Sequence, residues 1–221
     1  MPFPRPAARP WQGFGLSSAD GPLLPLPLLR LAQQAHAAER AAAIAYRGHR
    51  CCFRGRVQRQ QIHHIALEEW RHRAWLRRRL LPALGVAPRP LMEAAYLLLG
   101  MAIALTCLLI GPFWATYFAG RLEHGNGAEY DRLAAGLLAH PQLARRFHQP
   151  LRHMARVERR HERSFFGLLR HHPLLPPAAG LFGWPRRRWA IDTLAPPSAA
   201  VGGQAFPQWG LLPVSAYLQR R

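Results

Sequence analysis

Two copies of the pattern Glu-x-x-His constrain the fold of this chain more than any other feature of its 221 residues. The first is Glu69 and His72 in "ALEEWRHRAWLRRRL", and the second is Glu158 and His161 in "HMARVERRHERSFF". Residues three apart on a helix share a face, so each carboxylate and imidazole can converge on one point. A shuffled chain with eight glutamates and 12 histidines would contain about 0.4 such pairs. The repetition therefore predicts two helices that present the same chemistry on one face.

Helix-favouring segments alternate with short breaks along the chain, and none has the alternating pattern of a β-strand. The predicted class is therefore all-α. Four long helices are expected over residues 29–50, 57–85, 113–140 and 142–172, with turns near residues 51–57, 85–90 and 141. Pro150 is expected to kink the fourth helix or to shift its start.

The two ends of the chain differ in composition from its middle. Residues 1–28 are rich in proline and glycine, which predicts a flexible extension. Their prolines prevent the apolar helix of a signal peptide, and a mitochondrial presequence is the alternative. Residues 29–194 are expected to form one helical domain that closes with a short helix in "PRRRWAIDTL". An irregular tail is expected over residues 195–221.

Acidic residues are scarce, with 11 against 30 basic ones, so their positions carry information. Glu39 is the only acid in the first helical segment, and it precedes Glu69 by 30 residues. In a hairpin that turns near residue 54, these two carboxylates lie at the same height. Glu123 likewise precedes Glu158 by 35 residues about the turn at residue 141. Glu129 is the rival of Glu123, and the spacing favours Glu123.

The chain thus carries Glu and then Glu-x-x-His, twice over, on four helices. Ferritin-like di-iron proteins hold two metal ions in the core of a bundle with this ligand set. Carboxylate oxygens combined with imidazoles suit iron or manganese. The sequence therefore predicts a ferritin-like four-helix bundle, with one or two additional membrane-surface helices and two iron ions. The expected ligands are Glu39, Glu69, His72, Glu123, Glu158 and His161.

Residues 94–120 contain no charged side chain, and these 27 positions exceed the roughly 20 needed to cross a bilayer core. They are consistent with a transmembrane helix, a buried helix or a helix on the membrane surface, and Gly111 and Pro112 split the run. A bundle built from two hairpins also needs a connection that returns to the end where its second helix began. A helix over residues 91–110 would span roughly 30 Å and supply that connection.

The net charge of +19 calls for an anionic partner, either a nucleic-acid backbone or an anionic membrane surface. The apolar stretch and the ligand pattern favour the membrane, so no nucleic-acid partner is expected. A basic, metal-free protein that binds nucleic acid is the competing hypothesis. The three cysteines, Cys51, Cys52 and Cys107, lack metal-ligand spacing and fit a reducing compartment. They are expected to be buried apolar residues.

The run "HAAERAAAIAYRGH" resembles the first ligand helix of the demethoxyubiquinone hydroxylases. In that family a histidine, a ligand glutamate, a tyrosine and a glycine recur at the spacing of His36, Glu39, Tyr46 and Gly48. The resemblance extends to "PRPLM" after the second helix and to Tyr130, seven residues past Glu123, and it covers residues 30–172. The chain departs from the family at Ala35, where an aspartate is usual, and in "LEHG", where a double glutamate is usual.

This resemblance implies a membrane-bound di-iron monooxygenase of ubiquinone biosynthesis that hydroxylates the ring of a prenylated quinone. The implied partners are the quinone, dioxygen, an anionic membrane surface and other proteins of quinone biosynthesis. NADH or a quinol would be the external reductant. The implied location is peripheral, at the cytoplasmic face of a bacterial inner membrane. A non-catalytic ferritin-like metal-binding or accessory protein of the same pathway is the alternative.

No catalytic group is expected beyond the metal ligands. Three residues are expected close to them: His36, Tyr46 and Tyr130. His36 would orient Glu39, line the pocket or simply pack, whereas the tyrosine hydroxyls would bond to groups around the ligands. The three remaining glutamates that neighbour basic side chains are expected at the surface or in salt bridges with arginine, namely Glu68, Glu93 and Glu162.

Overall fold

The computed structural model describes residues 24–183. Within that range the chain forms helices joined by short turns and contains no strand, so the predicted all-α class is confirmed. The short helix expected in "PRRRWAIDTL" and the tail over residues 195–221 lie outside the described residues, as does most of the extension over residues 1–28.

The described elements follow one another in a simple order. They are α1 (Leu26–Cys51), α2 (Arg56–Trp75), a π-helical segment (Leu76–Leu80), α3 (Leu81–Ala83), α4 (Pro90–Gly136), α5 (Pro141–Leu169) and α6 (Leu175–Phe182). The first helix begins three residues earlier than expected. Helix α5 begins at Pro141 and continues through Pro150, so Pro150 does not shift its start.

The π-helical segment after α2 contains the arginine run. Its sequence is "LRRRL", with Leu76 and Leu80 buried and the three arginines between them exposed. A π turn adds a residue to the helical repeat. Residues four apart share a face in an α-helix as well, so this alternation of buried and exposed side chains does not by itself require the π turn.

Helix α4 consists of two helical segments that run in different directions. Its first segment, residues 90–110, runs parallel to α1. The residue numbers of contacting partners increase together on both elements, from Gln33 with Ala87, just before the segment, to Cys52 with Cys107. Its second segment, residues 112–136, runs antiparallel to α1. Here the residue numbers of the contacting partners decrease on α1 as they increase on α4. The pairs are His49 with Thr116, Tyr46 with Glu123 and Glu39 with Tyr130.

Gly111 makes this reversal possible. Its φ of 79° and ψ of 174° lie in a region that is essentially restricted to glycine. Pro112 then stands in the first turn of the next helical segment, where its missing N–H costs nothing. The predicted break at these two residues is therefore a change of direction inside one continuous element.

The first segment of α4 packs against α1 with almost no side chain between the two backbones. A Cβ added to Gly100 would lie 2.7 Å from the carbonyl oxygen of Ala41, and one added to Gly48 would overlap the backbone of Ala104. A half-buried carboxylate closes the same interface. Glu93 of α4 contacts Arg73 Nη2 at 2.5 Å and His36 Nδ1 at 2.7 Å.

Helix α4 is also the one described helix that is long and apolar enough to cross a membrane. Only 11% of its most apolar stretch is buried inside the protein. Its exposed large apolar side chains are Leu91, Leu98, Leu99, Met101, Leu105, Leu108, Leu109, Phe118 and Leu122. The apolar stretch before Gly111 is therefore mostly surface and could associate with a membrane, whereas Phe113, Tyr117 and Ala119 after it belong to the core.

Two apolar clusters lie at opposite ends of the helices. One gathers residues from the start of α1, the π-helical segment, the end of α4 and the start of α5. The other gathers residues from the end of α1, the start of α2, the middle of α4 and the end of α5. Helix α6, which the sequence did not predict, covers the second cluster and accepts a hydrogen bond from Tyr117 to the Ala178 carbonyl at 3.0 Å.

The expectation that all three cysteines are buried is wrong for two of them. Cys107 is buried, Cys52 is half-buried and Cys51 is exposed. Cys51 lies at the last residue of α1, where the helix ends and neighbouring elements no longer cover it.

We expect Gly100→Ala to destabilise the fold, because the added methyl group would force the backbones of α1 and α4 apart. Overpacking of this kind typically lowers the free energy of unfolding by about 1–3 kcal/mol. Gly125→Ala is the matched control in the same helix, because a Cβ there meets no atom within 4 Å. That control should gain up to about 1 kcal/mol from helix propensity. Thermal unfolding followed by circular dichroism measures both, and equal shifts in the two variants would contradict the close packing.

Candidate metal centre

Four helices each contribute to one buried cluster of carboxylates and imidazoles. Helix α1 contributes Glu39 and the second segment of α4 contributes Glu123. Helices α2 and α5 contribute one Glu-x-x-His turn each. All six side chains are buried, with at most 3% of any of them exposed: Glu39, Glu69, His72, Glu123, Glu158 and His161. The structure therefore brings together every residue that the sequence predicted as a ligand.

The cluster divides into two overlapping groups of four. Glu39, Glu69, His72 and Glu158 form one group, which we call site A, and Glu69, Glu123, Glu158 and His161 form the other, site B. Within each group the ligand atoms all lie within 4.8 Å of one another. Glu69 and Glu158 belong to both groups. Each group could hold a metal ion.

Both imidazoles turn the same nitrogen towards the carboxylates. His72 Nδ1 lies 2.8 Å from Glu158 Oε1 and 3.7 Å from Glu69 Oε2. His161 Nδ1 lies 3.1 Å from Glu69 Oε1 and 3.6 Å from Glu158 Oε2. The spacing of three residues within each helix thus places carboxylate and imidazole side by side, as helical geometry requires.

Six donor atoms of this cluster make no well-aligned hydrogen bond with any described residue. They are both oxygens of Glu69, both oxygens of Glu158, Glu39 Oε2 and His161 Nδ1. A buried carboxylate without a partner is costly, because it loses its hydration without compensation. A bound cation would supply the missing partner to all of these atoms at once, so the donor set fits a metal.

The pKa values respond to the same crowding of charge. Burial, together with the charge of Glu69, raises the pKa of Glu39 and that of Glu123 well above the ordinary value. Burial alone would lower the pKa of His161, but its contacts with Glu158, Glu68 and Glu69 outweigh burial and raise it well above the ordinary value. In the absence of a cation, protons on the carboxylates and imidazoles therefore balance part of the negative charge.

Two tyrosine hydroxyls donate hydrogen bonds directly to ligand carboxylates. Tyr46 donates to Glu123 Oε1, and Tyr130 donates to Glu39 Oε1. Each tyrosine is 2% exposed. The two single glutamates have no histidine three residues later in their own helix, and each is fixed instead by a phenol from another helix.

The surroundings of three other residues add to or depart from expectation: Glu68 forms the expected salt bridge with an arginine but is buried. His36, expected near Glu39, is bonded instead to Glu93. Glu68 and Glu162, expected at the surface or in arginine salt bridges, are 5% and 2% exposed. Glu162 lies 3.1 Å from His124 Nδ1. Glu68 does contact Arg160, at 2.9 Å, but it also lies 2.7 Å from His161 Nε2.

Glu129, the rival of Glu123, lies outside both groups. Its carboxylate is half-buried and pairs with Arg132 at 3.6 Å. It lines a shallow opening that reaches the cluster at Glu39 and is otherwise bordered by Ala35, Ala38, Asn126 and Tyr130. Alanines on the α1 side leave this opening between α1 and the second segment of α4.

Comparison with protein-family models, with curated proteins and with solved structures gives no match to this chain. The class of protein therefore follows from the geometry alone. It is an all-helical protein with a buried carboxylate–imidazole cluster that could hold metal, beside an exposed apolar helix.

We expect Glu69→Ala to remove most of the bound metal, because this substitution takes a ligand from both sites at once. The helical signal should persist, since a buried unpaired carboxylate contributes nothing favourable to the metal-free fold. Metal content per chain after anaerobic loading and gel filtration measures the effect. Glu129→Ala is the control and should bind as much metal as the wild type. Full metal content in Glu69→Ala would contradict the assignment.

Proposed function

We propose that this protein is a di-iron monooxygenase that hydroxylates the ring of a demethoxyubiquinone-type prenylated quinone. One observation carries the proposal. Two helices contribute a Glu-x-x-His pair each, and two others contribute one glutamate each. These six side chains form two overlapping groups of four, which share two carboxylates. Di-iron carboxylate proteins of the ferritin-like class use this arrangement of donors.

Charge supports the choice of two divalent ions. The four carboxylates of the cluster, Glu39, Glu69, Glu123 and Glu158, carry four negative charges when ionised. Two divalent cations would neutralise them, which a single cation would not. The mixture of carboxylate oxygens with imidazole nitrogens suits iron, whereas calcium and magnesium prefer oxygen donors alone.

The chain topology also supports a ferritin-like bundle. Helices α1 and α2 form a hairpin that supplies Glu39, Glu69 and His72, and the second segment of α4 forms another with α5 that supplies the other three ligands. The first segment of α4 connects the two hairpins along the length of α1. A bundle with one long connection is the arrangement typical of ferritin-like folds.

Iron, when bound, would supply the activation of dioxygen for transfer of one oxygen atom to the ring. The chain supplies the environment. Tyr46 and Tyr130 hold the carboxylates of Glu123 and Glu39 in place. The apolar clusters above and below the site exclude water. A planar ring would approach the cluster beside Glu39, where it would have to widen the small opening between α1 and the second segment of α4.

A polyprenyl tail requires an apolar environment, and the exposed face of α4 supports such a location. We propose that this face lies in the surface of the cytoplasmic leaflet of a bacterial inner membrane. Arginines would bind anionic head groups there. The quinone tail would stay in the lipid while its ring enters the protein. No nucleic acid is needed to explain the positive charge.

The reductant is external under this proposal. NADH or a quinol would supply two electrons per turnover, either directly or through another protein of quinone biosynthesis. The second oxygen atom of dioxygen would leave as water. The exposed apolar face of α4 and the positive charge of the chain are features to which such partners would bind.

A product assay tests the activity. Iron-loaded wild-type protein, incubated in air with a demethoxyquinone and a reductant, should yield the ring-hydroxylated product, detected by mass spectrometry with incorporation of ¹⁸O from dioxygen. His161→Ala should lower the yield at least about 100-fold, because it removes a ligand of site B. In a strain that lacks the quinone hydroxylase, the gene for the wild-type protein should restore quinone synthesis and the gene for His161→Ala should not.

Iron binding without product would instead favour the alternative, a non-catalytic ferritin-like or accessory protein. The departures at Ala35 and in "LEHG" are the observations that favour this second candidate. Absence of both iron and product would exclude the two candidates together.

We expect the apolar face of α4 to govern membrane binding. Replacing Leu105 and Leu109, which are 65% and 87% exposed, by glutamate should weaken binding to vesicles containing phosphatidylglycerol by at least roughly tenfold. Vesicle co-sedimentation measures this change. Val57→Glu is the control, because Val57 is 73% exposed on α2. An equal loss in the control, or no loss in the double variant, would contradict the orientation.

A further inference from the structure

Glu68 is a buried carboxylate that the metal-ligand pattern does not use. It precedes Glu69 on α2, and the two carboxylates contact opposite nitrogens of the same imidazole, that of His161. Its Oε2 accepts a hydrogen bond from His161 Nε2 at 2.7 Å, and its Oε1 accepts one from Arg160 at 2.9 Å. Only 5% of Glu68 is exposed, so water does not compete effectively for its oxygens.

This contact determines which nitrogen of His161 carries a proton. An ionised carboxylate can only accept hydrogen bonds, so the imidazole nitrogen that faces Glu68 must be the one that donates. A neutral His161 therefore holds its proton on Nε2 and directs the lone pair of Nδ1 into the cluster. Nδ1 is the nitrogen that lies among Glu69, Glu123 and Glu158.

The contact is also selective between the two sites. Glu68 makes its hydrogen bond to the cluster through His161. His161 belongs to site B and not to site A. An effect of Glu68 that passes through His161 should therefore reach one metal ion directly and leave the other with its full ligand set.

We propose that Glu68 is a positioning residue for site B, where it fixes the tautomer and orientation of His161 and so makes the two metal sites unequal. The inference rests on the proposed metal centre and deepens it. Carboxylates that orient a metal-binding histidine typically affect metal affinity by 10- to 100-fold. The two ions should consequently differ in their dependence on Glu68.

Anaerobic titration with Co²⁺, followed by calorimetry and by the visible absorption of the bound ion, tests the proposal without any turnover. The wild type should bind two ions. In Glu68→Ala the affinity of one ion should fall by about 10- to 100-fold, while the affinity of the other changes by less than about threefold. Glu68→Gln, whose amide oxygen can still accept from Nε2, should show an intermediate loss.

Arg160→Gln is the matched control, because it removes the other partner of Glu68 and leaves the contact with His161 intact. Its two affinities should match those of the wild type. The inference would be overturned by equal losses at both sites in Glu68→Ala, by unchanged affinities, or by the same selective loss in Arg160→Gln. Where Glu68→Ala does not fold, Glu68→Gln decides between these outcomes against the same control.

A second readout follows the imidazole itself. In the Zn²⁺-loaded protein, the ¹⁵N signal of His161 Nε2–H, assigned by comparison with His161→Asn, should show a hydrogen-bonded proton that exchanges slowly with solvent in the wild type and faster in Glu68→Ala. An unchanged exchange rate in that variant would overturn the inference. Failure of the wild type to bind Co²⁺ would overturn the metal centre itself, which separates that failure from a failure of Glu68 alone.

Discussion

The burial of four carboxylates between four helices is the constraint on which the rest of this structure depends. Charges of one sign at this distance repel one another, and their burial costs several kcal/mol for each unpaired ion. Helices of this length offer ample apolar packing above and below the cluster, and that packing offsets the cost. The burial of these carboxylates is thus unfavourable in itself, and the apolar packing at both ends of the helices stabilises it, as is common at functional sites.

The ligands could be predicted from the sequence because each depends on local spacing plus one hairpin. Glu69 and His72 lie on one helical face by geometry, and the short turn after α1 fixes the height of Glu39 opposite them. Glu68 was missed for a corresponding reason. Adjacent residues on a helix point about 100° apart, so a pattern that places Glu69 inside predicts Glu68 outside, and only the packing of α5 against α2 buries both.

Three other features could not be predicted, because amino-acid composition does not show what determines them. Helix α6 has prolines, but they lie in its first turn, where they are tolerated. The π-helical segment leaves no mark on the hydropathy pattern, because leucines four residues apart share a face in an ordinary α-helix as well. The apolar stretch of α4 was consistent with a core, surface or membrane-spanning helix, because hydropathy does not distinguish between these environments; the burial of its side chains identifies the part before Gly111 as mostly surface.

Gly111 joins the lipid-compatible part of α4 to the part that carries Glu123. Twelve residues of helix separate the two positions, which corresponds to roughly 18 Å at 1.5 Å per residue. The segment before Gly111 returns along α1, however, and Gly100 lies against Ala41, two residues from Glu39. Residues two apart on a helix point to nearly opposite sides, so the exposed apolar face lies level with the buried carboxylates and is separated from them by α1.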